Sequence, residues 1–217
     1  ISTFRDAGGL WDKYPVMQVA SAEGYVRDPE LVINFYNERR KQLLDVEPNA
    51  GHTGLAELEK DFNVTVVTQN VDNLHERAGS THVIHLHGEL TKVCSSRDPY
   101  NPRYVRELKP EEYEVKMGDK AGDGSQLRPF IVWFGEAVPE IETAIGYVEK
   151  ADIFVIIGTS MNVYPAAGLL NYVPRTAEVY LIDPKPVDIH SMRRIHVIQK
   201  GASEGVKELQ SLLFTPL

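Results

Sequence analysis

Ile153-Phe154-Val155-Ile156-Ile157 is an unbroken apolar run. Its length and β-branched content suit a strand covered on both faces, since a strand with one wet face would alternate. A sheet of that kind needs helices to cover it, and the flanking sequence supplies them. Residues 139–150 and 164–172 read as helices, and Ser203 to Leu213 as a closing one. Val179-Tyr180-Leu181-Ile182 and His196-Val197-Ile198 read as further strands, as do Val64-Thr65-Val66-Val67, Val83–Leu86 and Phe130–Trp133 upstream. Strands alternating with helices make an α/β fold with a largely parallel sheet. Such sheets bind ligands beyond the carboxyl ends of their strands, so the polar residues that directly follow strands are the candidate functional positions.

Two helices are signalled ahead of this pattern. Asp28 can cap one that runs to about Val46, with Pro29 at its first position, and Asn49 can cap the next, through Leu55, Leu58 and Phe62. Residues 95–128 read as irregular, broken by Gly118, Gly122 and Gly124. At 217 residues the chain suits one large domain or one domain carrying a small insert. A net charge of −8 argues against general nucleic-acid binding, which needs a basic surface, though not against a local basic pocket. Cys94 is the only cysteine, which excludes an internal disulfide and a four-cysteine zinc site. No apolar run approaches the roughly 18 residues that span a bilayer. The expectation is a reducing, cytoplasmic setting with no membrane partner.

Three polar segments follow predicted strands: Gln69-Asn70-Val71-Asp72, His87-Gly88-Glu89 and Gly158-Thr159-Ser160. The last can bring backbone amides and two hydroxyls close to a phosphate or ribose, or be an ordinary strand-to-helix turn. His82, His85 and His87 raise the question of a metal, but no further ligand pattern completes a site. Structural roles suit His82 and His85, while His87, at a strand end, has the ordinary pKa of a general base. Tyr36 and Arg39 share a helix face and read in two ways. They are a solvated pair beside Glu38, Arg40 and Lys41, or a clamp in which a guanidinium fork and a phenol hold a carboxylate.

Taken in order, Thr3-Phe4-Arg5, Gln69-Asn70-Val71-Asp72, His87-Gly88-Glu89, Trp133-Phe134-Gly135-Glu136 and Gly158-Thr159-Ser160 with Val163-Tyr164-Pro165-Ala166-Ala167-Gly168 resemble the sirtuins. Ala7 and Tyr36-Asn37-Glu38-Arg39 resemble the class III members, which remove succinyl and malonyl groups. The resemblance implies a Rossmann-like parallel sheet with helices on both faces and a smaller helical or irregular domain, here about 8–48 and 92–129, with NAD and acyl-lysine meeting between them. It implies that Asn70 and Asp72 line a nicotinamide pocket, that Gln69 meets the nearby ribose, and that Phe4 and Arg5 belong to a cofactor loop. Gly158, Thr159 and Ser160 would hold the ribose and phosphates, Asp183 the adenosine ribose, and Ala202 the adenine. Val132, Phe134 and Gly135 would line the acyl-lysine peptide's channel. Ala7, Tyr36 and Arg39 would take an acidic acyl tail. In the implied reaction nicotinamide leaves as the acyl oxygen attacks the ribose, His87 takes a proton from a ribose hydroxyl, and lysine and O-acyl-ADP-ribose are released.

The sequence departs from the family twice. The glycine-rich loop and strand that precede Phe4 in sirtuins are not in this sequence, so further chain upstream is expected. Most sirtuins also carry two cysteine pairs in the small domain, whereas only Cys94 stands here. No zinc is therefore expected, and Tyr100, Tyr104 and Tyr113 are candidates for holding that domain together. Two other functions use the same pocket: a non-catalytic NAD-sensing module, and an enzyme that hydrolyses NAD or transfers ADP-ribose. His87 argues against the first, and the Tyr36/Arg39 pair against the second.

Overall fold

The computed structural model describes residues 14–158, 166–186 and 194–214. Along the chain the helices are α1 (Val16–Val19), α2 (Ala22–Arg27), α3 (Pro29–Leu44), α4 (Ala50–Leu58), α5 (Leu74–Arg77), α6 (Ile141–Val148) and α7 (Ala202–Phe214). The strands are β1 (Val66–Thr68), β2 (Val83–His85), β3 (Gly88–Ser95), β4 (Arg106–Glu107), β5 (Leu127–Ile131), β6 (Ile153–Ile157), β7 (Glu178–Ile182) and β8 (His196–Ile198). They divide into two compact units. One holds residues 14–46, 70–73 and 87–139; the other holds 47–69, 74–86 and the described residues from 140 onward.

The second unit carries the α/β architecture. β1 pairs with β2, and β6, β7 and β8 follow one another in a three-stranded sheet, every pair parallel. β7 is central there, and Val179, Tyr180, Leu181 and Ile182 are all buried. α7 lays Val206 and Leu209 onto Tyr180, Ile182 and Ile198. Emptying such a site, as in Leu209→Ala, costs about 2–5 kcal/mol. β6 pairs only with β7 among the described residues, and of its five apolar side chains only Ile156 is fully buried. A continuous apolar run therefore marks the strand but overstates its cover. α4 begins where Asn49 predicts: the Asn49 side chain accepts from the N–H groups of Gly51 and His52, and His52 Nδ1 accepts from the Asn49 N–H at 3.1 Å. The segment predicted as a helix at 164–172 is a 3-10 helix over Ala166–Tyr172.

The first unit is built on a sheet in which β3 lies between β4 and β5, both antiparallel to it. β3 was not foreseen, and β5 begins and ends earlier than the predicted 130–133 because the chain turns at Trp133. Ile33 of α3 packs with Val93, Leu108, Val115, Ala121 and Leu127 in its core. Asp28 caps α3 by accepting from the Leu31 N–H at 3.0 Å. β3 and β5 pair at Gly88–Ile131 and again at Val93–Pro129, so five steps along β3 face two along β5. This bulge turns Leu90 away from the ladder. Its N–H donates to the Val71 carbonyl at 2.7 Å, and its carbonyl accepts from Arg40 Nε at 2.9 Å.

Candidate active site

Gly88 fixes the position of His87. It has φ +81°, and a Cβ there would run into the carbonyl oxygen of Phe130, so no other residue fits without moving β5. Immediately before it, the half-buried His87 accepts the Val132 N–H on its carbonyl at 2.9 Å. The Leu90–Val71 bond holds the segment 70–73 against the start of the same strand. Asn70 is exposed there, and Asp72 half-buried. One end of this unit thus gathers Asn70, Asp72, His87 and Val132, which bring a carboxamide, a carboxylate and an imidazole to one stretch of the sheet. Beyond Val132 the chain turns through Trp133-Phe134-Gly135-Glu136. The Glu136 N–H donates to the Trp133 carbonyl at 3.0 Å, and Gly135, at φ +87°, takes the third position of the turn, where glycine is unstrained. Phe134 is 47% exposed, and its N–H donates to the Ala20 carbonyl at 2.9 Å.

Tyr36 and Arg39 are not a solvated pair. Tyr36 is 3% exposed and Arg39 9%. Phe35 lies beside both: the Arg39 guanidinium is 4.9 Å from its ring centroid, and the Tyr36 ring 5.1 Å. The Arg39 Nε and Nη1 groups are buried and have no hydrogen-bond partner among the described residues. Burial lowers the Arg39 pKa, against the opposing pull of Tyr14 and Glu38. The Tyr36 hydroxyl accepts from Trp133 Nε1 at 3.1 Å, and burial raises its pKa, so it stays a protonated phenol. A buried guanidinium whose Nε and Nη1 have no partner among the described residues, one helical turn from a phenol, suits an anion.

In the second unit, Gly158 and Asp183 follow the neighbouring parallel strands β6 and β7. Gly158, after β6, donates its N–H to the Ile182 carbonyl at 2.9 Å, and Asp183 follows directly at the end of β7. One Asp183 carboxylate oxygen accepts the Lys185 N–H at 2.8 Å. Gln69, half-buried, follows β1, and Ala202 opens α7 at the surface. Phe4, Arg5, Ala7, Thr159 and Ser160 lie outside the described residues. β2 ends at His85, so His85 and His87 do not share a strand. His85 Nε2 lies 2.7 Å from Glu76 Oε1, and His82 Nδ1 3.2 Å from Thr65 Oγ1, each a structural pairing. For Glu76, burial acts upward, but the hydrogen bond from His85, a backbone hydrogen bond and the charges of His85 and His75 together outweigh it and leave the pKa below the ordinary range.

The groups that organise the first unit are ones that sequence reasoning passed over. Arg40, read as part of a solvated charge run, is buried and bonds the Leu90 carbonyl, the Asn37 Oδ1 and the Tyr113 carbonyl, none of them charged. Burial lowers its pKa to about 10. Arg128 pairs both its terminal nitrogens with the Glu136 carboxylate, at 2.9 and 3.1 Å, and lies 3.6 Å from the Trp133 ring centroid. The Ser95 and Ser125 hydroxyls both donate to the Asp123 carboxylate, at 2.6 and 2.7 Å, with their oxygens 2.9 Å apart, beside Cys94. Of the three tyrosines named from sequence, Tyr100 joins the Glu136 cluster through its hydroxyl, at 3.0 Å, and Tyr113 contributes its carbonyl. Cys94 Sγ faces the Pro129 carbonyl at 3.7 Å, and burial pushes its thiol up to about 12.

With this geometry in view, comparison with known proteins is specific. The Sir2 family model matches residues 1–165. An NAD-dependent protein deacylase of Bacteroides thetaiotaomicron is 84% identical over 213 residues, which are 98% of this chain and 91% of that one. A Sir2 homologue mutant solved with ADP-ribose superposes with a TM-score of 0.84 at 34% identity, covering 100% of this chain and 88% of that one. A Sir2 homologue–NAD complex gives 0.82 at 35% identity, over 98% and 84%. The parallel strands and helices are accordingly the Rossmann-like fold of those structures. Family model, relatives and fold agree, and the chain belongs to the Sir2 family.

Proposed function

We propose that this chain removes acidic acyl groups, succinyl or malonyl, from lysine side chains, and acetyl groups as well. NAD-dependent protein deacylation follows from membership of the Sir2 family and from relatives that bear that name. The same relatives favour it over NAD hydrolysis or NAD sensing alone. NAD is the co-substrate: nicotinamide is released and the acyl group passes to ADP-ribose.

The acid preference rests on one observation, the buried Arg39 whose Nε and Nη1 lack partners among the described residues, one helical turn from Tyr36. An unpaired guanidinium in such a place costs free energy that a bound carboxylate would recover. In this reading His87 takes the ribose proton, Asn70 and Asp72 orient nicotinamide, and Val132, Phe134 and Gly135 receive the extended substrate backbone. Gln69, Gly158 and Asp183 hold the rest of NAD, with Phe4, Arg5, Thr159, Ser160 and Ala202. Ala7 leaves room for the acyl tail. The reading places the enzyme in the cytoplasm, acting on acyl-lysine proteins or peptides, with the first unit closed by side chains rather than zinc. Its test is one peptide in acetyl-lysine and succinyl-lysine forms, with and without NAD, followed by mass spectrometry. O-succinyl-ADP-ribose formed only with NAD supports it, and loss of acetyl alone overturns the acid preference.

A further inference from the structure

Trp133 touches the acyl clamp without belonging to it. It is 2% exposed and is held on several sides. Its backbone N–H donates to Glu136 Oε2 at 2.8 Å, its ring lies under the Arg128 guanidinium, and the Tyr25 ring packs 5.2 Å away. Glu136 is itself fixed, since Oε2 also accepts from Tyr100 and Arg128. The indole therefore has no freedom to turn, and its one donor points at the Tyr36 oxygen. An indole N–H can only donate, whereas a phenol both accepts and donates. The bond occupies a lone pair on Tyr36 and keeps the phenolic proton from pointing at Trp133. Among the described residues that proton has no acceptor.

We propose that Trp133 is a specificity-determining positioning residue, whose indole N–H orients the Tyr36 hydroxyl so that its proton is presented to the carboxylate of an acidic acyl group. This rests on the reading that Tyr36 and Arg39 take that carboxylate. An acetyl group offers no such acceptor, so the contact discriminates between the two substrates without touching the reacting atoms. Glu136 and Arg128 serve the same end by locking the indole.

The test is Trp133→Phe, which keeps an aromatic ring and removes the donor, with steady-state kinetics on succinyl- and acetyl-lysine forms of one peptide. The expected result is a KM for the succinyl peptide raised about 3- to 10-fold, the range of one lost hydrogen bond. Its kcat and both acetyl parameters should stay unchanged. Tyr36→Phe should give the same selective loss, and adding Trp133→Phe to it should remove nothing further. Equal losses for both peptides, or losses that multiply in the double variant, overturn the proposal. Should Trp133→Phe fail to fold by circular dichroism, Tyr36→Phe with unchanged succinyl preference overturns it from the acceptor's side. If Arg39→Met and Tyr36→Phe abolish the preference while Trp133→Phe spares it, this inference fails alone. If the unaltered enzyme does not turn over the succinyl peptide, it falls together with the reading beneath it.

Discussion

Ser95 Oγ donates to Asp123 Oδ2 at 2.6 Å, joining the end of β3 to the loop that leads into β5. Ser125 donates to the other carboxylate oxygen through both its N–H and its hydroxyl, at 3.0 and 2.7 Å. These bonds hold the Asp123 carboxyl down to about 2 from an ordinary 3.8. A carboxyl depressed in the folded state stabilises it above the unfolded value, and that contribution is lost as the pH falls through the folded one. Asp123→Asn should therefore lower the melting temperature by about 2–4 °C at neutral pH. The gap between variant and parent should close as the pH falls from about 4 towards about 2. Melting curves at several pH values decide it, and a gap that stays constant rules the carboxylate out.

The buried Cys94 thiol and this serine–aspartate cluster lead to an expectation about metal. Prolonged treatment with a strong zinc chelator should leave both deacylation and the melting temperature unchanged, and elemental analysis should find well under one zinc per chain. A family member closed by four thiolates would lose structure under the same treatment. Activity lost to the chelator and restored by zinc would contradict the expectation.

Arg39→Met keeps the length and apolar packing of the side chain and removes its charge. Turnover of the succinyl peptide, as kcat/KM, should fall roughly 10- to 100-fold, the range of a charge-assisted hydrogen bond. Deacetylation should change by less than about twofold, because the clamp meets only the distal carboxylate. Parallel assays on the two peptides settle the matter, and an equal fall in both would return Arg39 to a structural role.

His87→Ala should lower kcat by about 10²- to 10⁴-fold, the usual share of a positioned general base. ADP-ribose affinity, measured by calorimetry, should stay within about twofold, since the imidazole acts on a proton and does not hold the ligand. A variant that kept its kcat would exclude the imidazole from proton transfer.

Some of this was legible in the sequence because it is local. The Asp28 and Asn49 caps, the β6 and β8 strands and the His87-Gly88 pair depend on residues only a few positions apart. What escaped depends on distance along the chain. Arg40 reaches its Leu90 partner across 50 positions, and Asn37 bonds Val115 across 78. Read in its own helix, Arg40 is one more cation beside Glu38 and Lys41, and only the carbonyls brought to it make burial tolerable. β3 was missed for a related reason. Glu89 and Lys92 break its apolar pattern, yet they pair with each other at 2.7 Å. At the site, sequence showed which residue types stand after strands, but not that Trp133 turns back to meet Tyr36.

The bulge in β3 makes one stretch of this chain a fixed measure. Because both backbone groups of Leu90 are engaged away from the ladder, with Val71 and with Arg40, the distance between Gly88 and Val93 cannot change by one residue without breaking one bond or the other. An insertion there would move the segment of Asn70 and Asp72 relative to His87. The turns around Gly118 and Gly124 have room for a side chain but are tied through their backbone, since the Gly118 N–H donates to Gln126 Oε1 at 2.7 Å and the Gly124 N–H to the Ala121 carbonyl at 2.9 Å. A fused domain or an added loop therefore does not belong in this strand, whose length is set from both sides at Leu90.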